Sequence, residues 1–413
     1  MKKVILITNY FPYAEAEPFL ETEIKYYQDI DLTIMPLFVS DKMRKVDSSI
    51  KIDNFLVSNI HRDLKHGLYY LLKSSISSIF YKELLSHTPW NYQKIKRFFR
   101  SMIKYQNAYD SFDSYFKDKE DVNNMVIYTY WNTEITYALQ SLKEKYNYRL
   151  ISRIHGADMY KERQTFHYMP LKRLLTKNID KIYTITPSAN EYLQDVYGFD
   201  LVILETSRLG VNDNKIVSVP SVQNHLHIVS CSGMVEVKKV DKMIKALSIL
   251  AKNNLTMSYT WTHIGNGTLY DTLLNLANEK LGSLQNIKFV FKGYMENHEV
   301  YEFYKKYQVD VFINVSESEG VPVSIMEAMS CHIPIVAPEV GGISDMIIDG
   351  ENGYLLSSKC EIGEIVNALK NEEFHKSKKV RDRAYKVFLE KYNAKKNYEE
   401  FVEKITKKDT YDS

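Results

Sequence analysis

At 413 residues the chain exceeds the length at which one hydrophobic core usually suffices, so two domains are expected. An apolar fraction of 45% and a charged fraction of 26% exclude wholesale disorder, and a formal net charge of +2 excludes the global basic bias of a nucleic-acid binder. Cys231, Cys331 and Cys360, none spaced as CxxC, argue against a disulfide framework or a zinc site and fit a reducing cytosol.

The opening run Met1–Thr8 is too short for a signal peptide, and Val4–Thr8 reads as a buried parallel strand. An amphipathic helix is predicted from Pro18 to Tyr27, with Pro18 suited to a first helical turn, then a strand over Leu32–Phe38. Residues 92–104 carry Ile95, Phe98, Phe99, Met102 and Ile103 at helical spacing with five lysines and arginines and no acid. Such a basic amphipathic helix either lies on an anionic membrane surface or packs on a core with a solvated basic face. Strands are expected at Met125–Tyr128, Leu150–Ile154 and Lys181–Ile185, each followed by a helical pattern, which argues for a doubly wound α/β domain.

Residues 211–225, polar and holding Pro220, read as the interdomain linker. Beyond it strands are expected at His227–Ser232, Ser258–His263, Ile287–Phe291, Val309–Asn314 and Ile333–Ala337. Ten of the 15 glycines fall between Gly233 and Gly353, recurring near the carboxyl ends of these strands. In a parallel sheet those ends share one edge, where ligands bind, so the recurrence favours a ligand over ordinary turns. The tail from Glu361 to Lys408 reads as helices. No run approaches the roughly 20 apolar residues of a membrane span. The expected division is residues 1–215, residues 216–390, and a C-terminal helix within 391–413 that packs back on the first domain.

The segment from Ser316 to Met329 is the sharpest candidate site. A strand ends near Asn314 and a helix begins around Val321–Pro322, whose free N–H groups suit a phosphate. Glu327 then falls in the second turn of a helix apolar on nearly every side, so it needs a partner. A ribose diol matches its two oxygens; a nearby Lys or Arg is the competing partner. Glu319 sits before the helix, where it either accepts from sugar hydroxyls or is a plain helix-start acid. Lys238 opens a helix after a strand and Gly233, and is read as a phosphate contact rather than a solvated charge. His263-Ile264-Gly265-Asn266-Gly267 fails as a dinucleotide fingerprint, because Tyr270 occupies the third glycine position, and this disfavours a redox enzyme. His155, in His155-Gly156-Ala157-Asp158, follows a strand and so sits at the sheet edge. Glu17 and Glu21 are either acceptor-reading or helix-start acids. Asp310, flanked by valines, has no acidic neighbour with which to share a metal, so metal-independent chemistry without a cofactor is expected.

Glu319 and Glu327, with Gly320-Val321-Pro322 after the first and Ala328-Met329 after the second, resemble the E-x7-E motif of family 4 retaining glycosyltransferases of GT-B fold, of the bacterial surface-polysaccharide type. The continuations Pro334–Ile343 and Asp349–Leu356 are also similar to that family. The resemblance implies two Rossmann-like domains facing each other across a cleft. It implies transfer of a sugar from a nucleotide-diphosphate sugar, UDP-linked by preference, to a glycan or lipid-linked glycan acceptor. It assigns the ribose to Glu327, the donor sugar to Glu319, the diphosphate to Lys238, and the transferred sugar near the reacting bond to His155. Gly233, Gly265, Gly267, Tyr294, Gly320, Val321 and Pro322 would line the donor, while Asp158 would orient His155 or join Glu17 at the acceptor. The family's clamp arginine falls on Gly233 or Met234, a departure. Expected localisation is cytoplasmic or peripheral at the inner face of the cell membrane. The competing readings are a catalytically weak nucleotide-sugar-binding subunit and a GT-B sugar phosphorylase or epimerase.

Overall fold

The computed structural model describes residues 3–407 except 15, 87–89 and 175; the 408–413 end of the expected C-terminal segment lies outside them. The described chain forms two compact units, one of residues 3–208 with 398–407, the other Leu209–Asn397.

The first unit holds a seven-stranded, all-parallel sheet of β1 (Lys3–Thr8), β2 (Asp31–Pro36), β3 (Lys51–Ile52), β4 (Met125–Thr129), β5 (Arg149–Ile154), β6 (Lys181–Thr184) and β7 (Leu204–Thr206), in the order β3-β2-β1-β4-β5-β6-β7. The second holds a six-stranded parallel sheet of β8 (His225–Cys231), β9 (Ser258–Ile264), β10 (Ile287–Phe291), β11 (Val311–Ile313), β12 (Ile335–Pro338) and β13 (Gly353–Leu356), in the order β10-β9-β8-β11-β12-β13. Helices fill the crossovers, as parallel neighbours require. Central strands such as Val4–Ile7 and Val126–Tyr128 are buried on both faces, which is why they read as continuous apolar runs. In each unit the first strand is central and the order reverses beside it, between β1 and β4 and between β8 and β11. Loops leaving the carboxyl ends of those strands part there and leave a crevice.

Several expectations need correction. The predicted Pro18–Tyr27 helix is α-helical only to Glu23, then a 3₁₀ turn over Ile24–Tyr26. Strands β3, β7 and β13, of two to four residues, are too short to show a periodicity. The chain passes to the second unit at Leu209, ahead of the expected linker, because Val211 N already bonds to Tyr392 O and Asn397 Nδ2 to Leu209 O. The polar stretch that follows lies along the second unit: buried Asp310 accepts from Ser221 N, Ser221 Oγ and His227 N.

Residues 92–104 open a helix that runs Tyr92–Lys117. Phe98 and Met102 are fully buried, and Ile95, Phe99 and Ile103 half-buried, so its apolar face belongs to the core and is not free for a membrane. From Tyr398 the final helix belongs to the first unit, where Phe401, Val402 and Ile405 join the strand residues Val4, Leu6 and Tyr128 in one cluster. The Phe401 ring lies 4.3 Å from the guanidinium of Arg153, which is itself buried and paired with buried Glu23 at 3.5 Å. A charge pair of this kind needs its surroundings complete, because desolvation is offset only by close partners. Replacing Phe401 by Ala should cost the first unit roughly 3–5 kcal/mol. Hydrogen exchange should show faster exchange at β4 and β5 amides with β8 and β9 unchanged; equal acceleration in both sheets would contradict the assignment.

Candidate functional site

In the second unit three loops meet at the carboxyl ends of β8, β9 and β10. Ser232 N bonds to Ile264 O at 3.0 Å, Met234 N to Asn266 O at 2.9 Å and Gly265 N to Gly293 O at 2.7 Å. Gly265 has φ +138°, and a Cβ there would stand 2.0 Å from Ser232 O, so only glycine permits this approach. Gly267 abuts the Met234 backbone, Gly233 is exposed, and Tyr294 extends into solvent beyond Gly293. His263 is buried and serves this junction: its Nε2 donates to Ser232 O at 3.2 Å, while Nδ1 accepts from Ser230 Oγ at 2.8 Å.

Across the strand-order reversal, the β11 loop is tied to the β8 loop by charge. Lys238 Nζ lies 2.6 Å from Glu319 Oε1, Lys239 pairs with Glu317 at 3.3 Å, and Glu317 N bonds to Val237 O. Asn314 Nδ2 donates to the same Glu319 oxygen at 3.0 Å. Gly341, at φ +57°, brings its Cα against Glu319 O, where a Cβ would come within 1.9 Å, and Gly342 N bonds to Gly320 O. Glu319 is thus held on three sides and is not a plain helix-start acid. A pocket of about 10 Å³, lined by Ser232, Lys238, His263 and Asn314, remains beside it. That is room for about one water.

The helix starts later than expected, at Val323, with Pro322 as its cap and Val321 buried before it. Glu327 is 6% exposed, and no basic side chain pairs with it among the described residues. Asn297, at the start of the Asn297–Lys306 helix, donates its amide to Glu327 Oε1. Burial pushes the Glu327 carboxyl up to about 7, opposed by that one hydrogen bond. Asn297 also borders an open groove of about 610 Å³ between residues 212–217 and its helix. Asn297 and Asn314 escape sequence reading because each presents itself as an ordinary element boundary. The signal for Asn297 is a buried carboxylate elsewhere that lacks a cation; Asn314 has none, because Glu319 already pairs with Lys238.

In the first unit His155 follows β5 and is 7% exposed, its ring wedged between Tyr130 and Trp131 with centroids 4.7 and 4.5 Å away. Neither ring nitrogen has a hydrogen-bond partner among the described residues. Burial, helped by the Arg153 charge, lowers its pKa to about 3, so the imidazole is neutral. Asp158 is buried and engaged on both oxygens: one accepts from His155 N at 2.6 Å, the other from Asn132 N at 2.7 Å. Lys172, also buried, donates to Asn132 Oδ1 and Asp158 O. Burial raises the Asp158 pKa and lowers that of Lys172, each opposed by the other's charge. Asp158 therefore orients the His155 loop, each of its oxygens accepting one backbone N–H.

Glu17 is likewise corrected. It is neither helix-start acid nor acceptor-reading: it accepts from Asn9 N, Tyr10 N, Phe11 N and Trp131 Nε1 at 2.6–2.9 Å, and so aligns the indole against His155. Sequence reading missed Trp131, Asn132 and Lys172, which no motif marks. His61, Asp63 and His66 could together reach one cation, but all lie toward solvent and Asp63 caps the following helix.

Residues 212–387, all within the second unit, match the family described as glycosyl transferases group 1. An uncharacterized glycosyltransferase of Methanocaldococcus jannaschii, MJ1178, is 26% identical over 242 residues, 57% of this chain and 63% of that protein. The chain thus spans less than two thirds of this relative's length. Among solved structures, the lipopolysaccharide outer core galactosyltransferase WaaB superposes with a TM-score of 0.71 at 15% identity, covering 98% of this chain and 99% of that one. HepE of Anabaena, in complex with UDP and glucose, gives 0.63 at 15% identity over 99% and 100%. Together with the two parallel sheets, these likenesses identify the fold as GT-B.

Two outcomes follow from the buried ionisable groups. A carboxyl raised from 4.5 to about 7 makes the folded state hold its proton longer than the unfolded one, so this contribution to stability is lost as pH rises through that window. Glu327→Gln should therefore flatten the fall in urea midpoint between pH 5 and 8; an unchanged slope would show that another group sets it. Nitrogen chemical shifts of His155 should stay those of neutral imidazole down to about pH 5, whereas an ordinary histidine titrates near 6.5. A transition near that value would contradict the burial described.

Proposed function

We propose that the chain is a retaining glycosyltransferase that moves a sugar from a nucleotide diphosphate, with uridine the favoured base, to a glycan or lipid-linked glycan. One observation carries the reading: Glu327 is a buried carboxylate with an amide on one oxygen and no cation, eight positions after an acid held at the crevice. A site built this way is under-satisfied until two neutral donors arrive, and the vicinal hydroxyls of a ribose supply them.

On this reading Glu327 binds the ribose, and Gly265, Gly267 and the Gly293–Tyr294 turn border the nucleotide. Lys238 contacts the diphosphate while keeping its bond to Glu319, and Glu319 accepts from a hydroxyl of the donor sugar. The amides at the Val323–Ser330 helix start, with Gly320, Val321 and Pro322 leading into it, add a second source of positive potential. Charge that develops on the leaving diphosphate is then met by Lys238 and those amides, without a metal ion. Met234 is buried and Gly233 has no side chain, so the clamp rests on one ammonium where the resembled family adds a guanidinium. Neutral His155, with both nitrogens unengaged, is suited to a hydroxyl of the transferred sugar. HepE's complex with UDP and glucose supports the uridine preference. WaaB, a lipopolysaccharide galactosyltransferase, supports a surface-glycan acceptor.

The test is protection from thermal unfolding by a panel of nucleotide sugars, followed by acceptor-dependent nucleotide release. A UDP-sugar should raise the melting temperature in proportion to the logarithm of its concentration. Glu327→Ala should remove that protection and lower transfer by at least about 100-fold with the fold intact. Wild-type turnover by this variant would end the proposal, and donor binding without release over a broad acceptor screen would favour a binding subunit.

A further inference from the structure

Helices Leu64–Ser74 and Ser78–Ser86 of the first unit present apolar side chains outward. Leu64, Leu68, Leu72, Ile76 and Leu85 are 61–95% exposed. The first three recur every four residues on one helix face, Ile76 stands at the turn and Leu85 on the returning helix. Exposed leucines scattered singly need no explanation; a stripe continued over two helices does.

The charge around it is mostly positive, although Asp63 caps the first helix and Asp110 pairs with Lys73 at 2.7 Å. From Leu64 to Tyr109 the sequence holds eight lysines and arginines and a single acid, Glu83, which is buried and accepts from Tyr168 Oη at 2.7 Å. The Ser78–Ser86 helix adjoins the basic start of the Tyr92–Lys117 helix, since Phe80 packs on Phe98 with ring centroids 4.9 Å apart, while the Leu64–Ser74 helix meets it further along, where Lys73 pairs with Asp110. At that basic start Lys96, Arg97, Arg100 and Lys104, with Glu134 opposite in sign, line a pocket of about 320 Å³.

We propose that this stripe and the cations beside it form a docking surface for an anionic lipid bilayer. Leucine and isoleucine side chains would enter the acyl boundary while lysines and arginines meet the headgroups. A second copy of the chain is the poorer occupant, because it would bring two cationic faces together. The helix whose apolar face the sequence suggested for this role supplies charge only; the insertion falls to its neighbours. The proposal is independent of the reaction catalysed.

Flotation of the full chain with phosphatidylcholine vesicles, with and without about one third phosphatidylglycerol, tests it at low and high salt. Expected is binding to the anionic vesicles alone, weakened by salt, and reduced about tenfold or more by Leu68→Glu with Leu72→Glu. Leu64→Ser, at the most exposed position, should weaken binding with no effect on folding, and Arg100→Glu with Lys104→Glu should abolish the lipid selectivity. Wild-type protein that ignores both vesicles would overturn the proposal. So would self-association without lipid that the leucine variants dissolve, or charge variants that bind as wild type does.

Discussion

Where a parallel sheet reverses its strand order, neighbouring loops part and leave backbone amides and polar side chains with no strand to pair with. Each unit closes that gap with a carboxylate. Glu17 gathers three amides after β1 and the Trp131 indole after β4, and Glu319 joins Lys238 after β8 to Asn314 after β11. The rest of each site is arranged around these anions. Trp131 flanks His155, and Gly341 seats the backbone of Glu319.

Glu17 and Glu327 differ in what they leave open. Glu17 spends all its acceptor capacity inside the chain, so its work is positional. Glu327, in the same unit as Glu319, is the inverse: buried, with one donor, and raised by desolvation. On the proposed reading its missing partners arrive with a ligand, and a buried, under-satisfied carboxylate is a stronger sign of binding than position in a motif alone.

Most central strands were legible because burial on both faces forces β-branched, apolar runs, as in Val4–Ile7. The short edge strands β3 and β7 were not, since two or three residues carry no period. The E-x7-E segment was expected after a strand, and Glu319 and Glu327 do follow the strand that ends at Ile313. It said nothing of Asn297 or Asn314, whose contacts are made across 30 residues and across a turn respectively. Glu17 was misread because its left-handed backbone, φ +56°, turns its side chain back over residues 9–11 rather than onto the helix it precedes. The basic segment at residues 92–104 was read correctly as amphipathic, but periodicity cannot tell a face turned to lipid from one turned to core. Only the neighbouring helices, which cover that face and expose their own, decide it.

Because Phe401 and Ile405 complete the core of the unit that begins at β1, that core draws on the first and the last stretches of the chain together. During synthesis on the ribosome the second unit, continuous from Leu209 to Asn397, has all its residues before the first does. The earlier-made sheet must wait, its β1–β5 face uncovered, until the stretch from Tyr398 has been made.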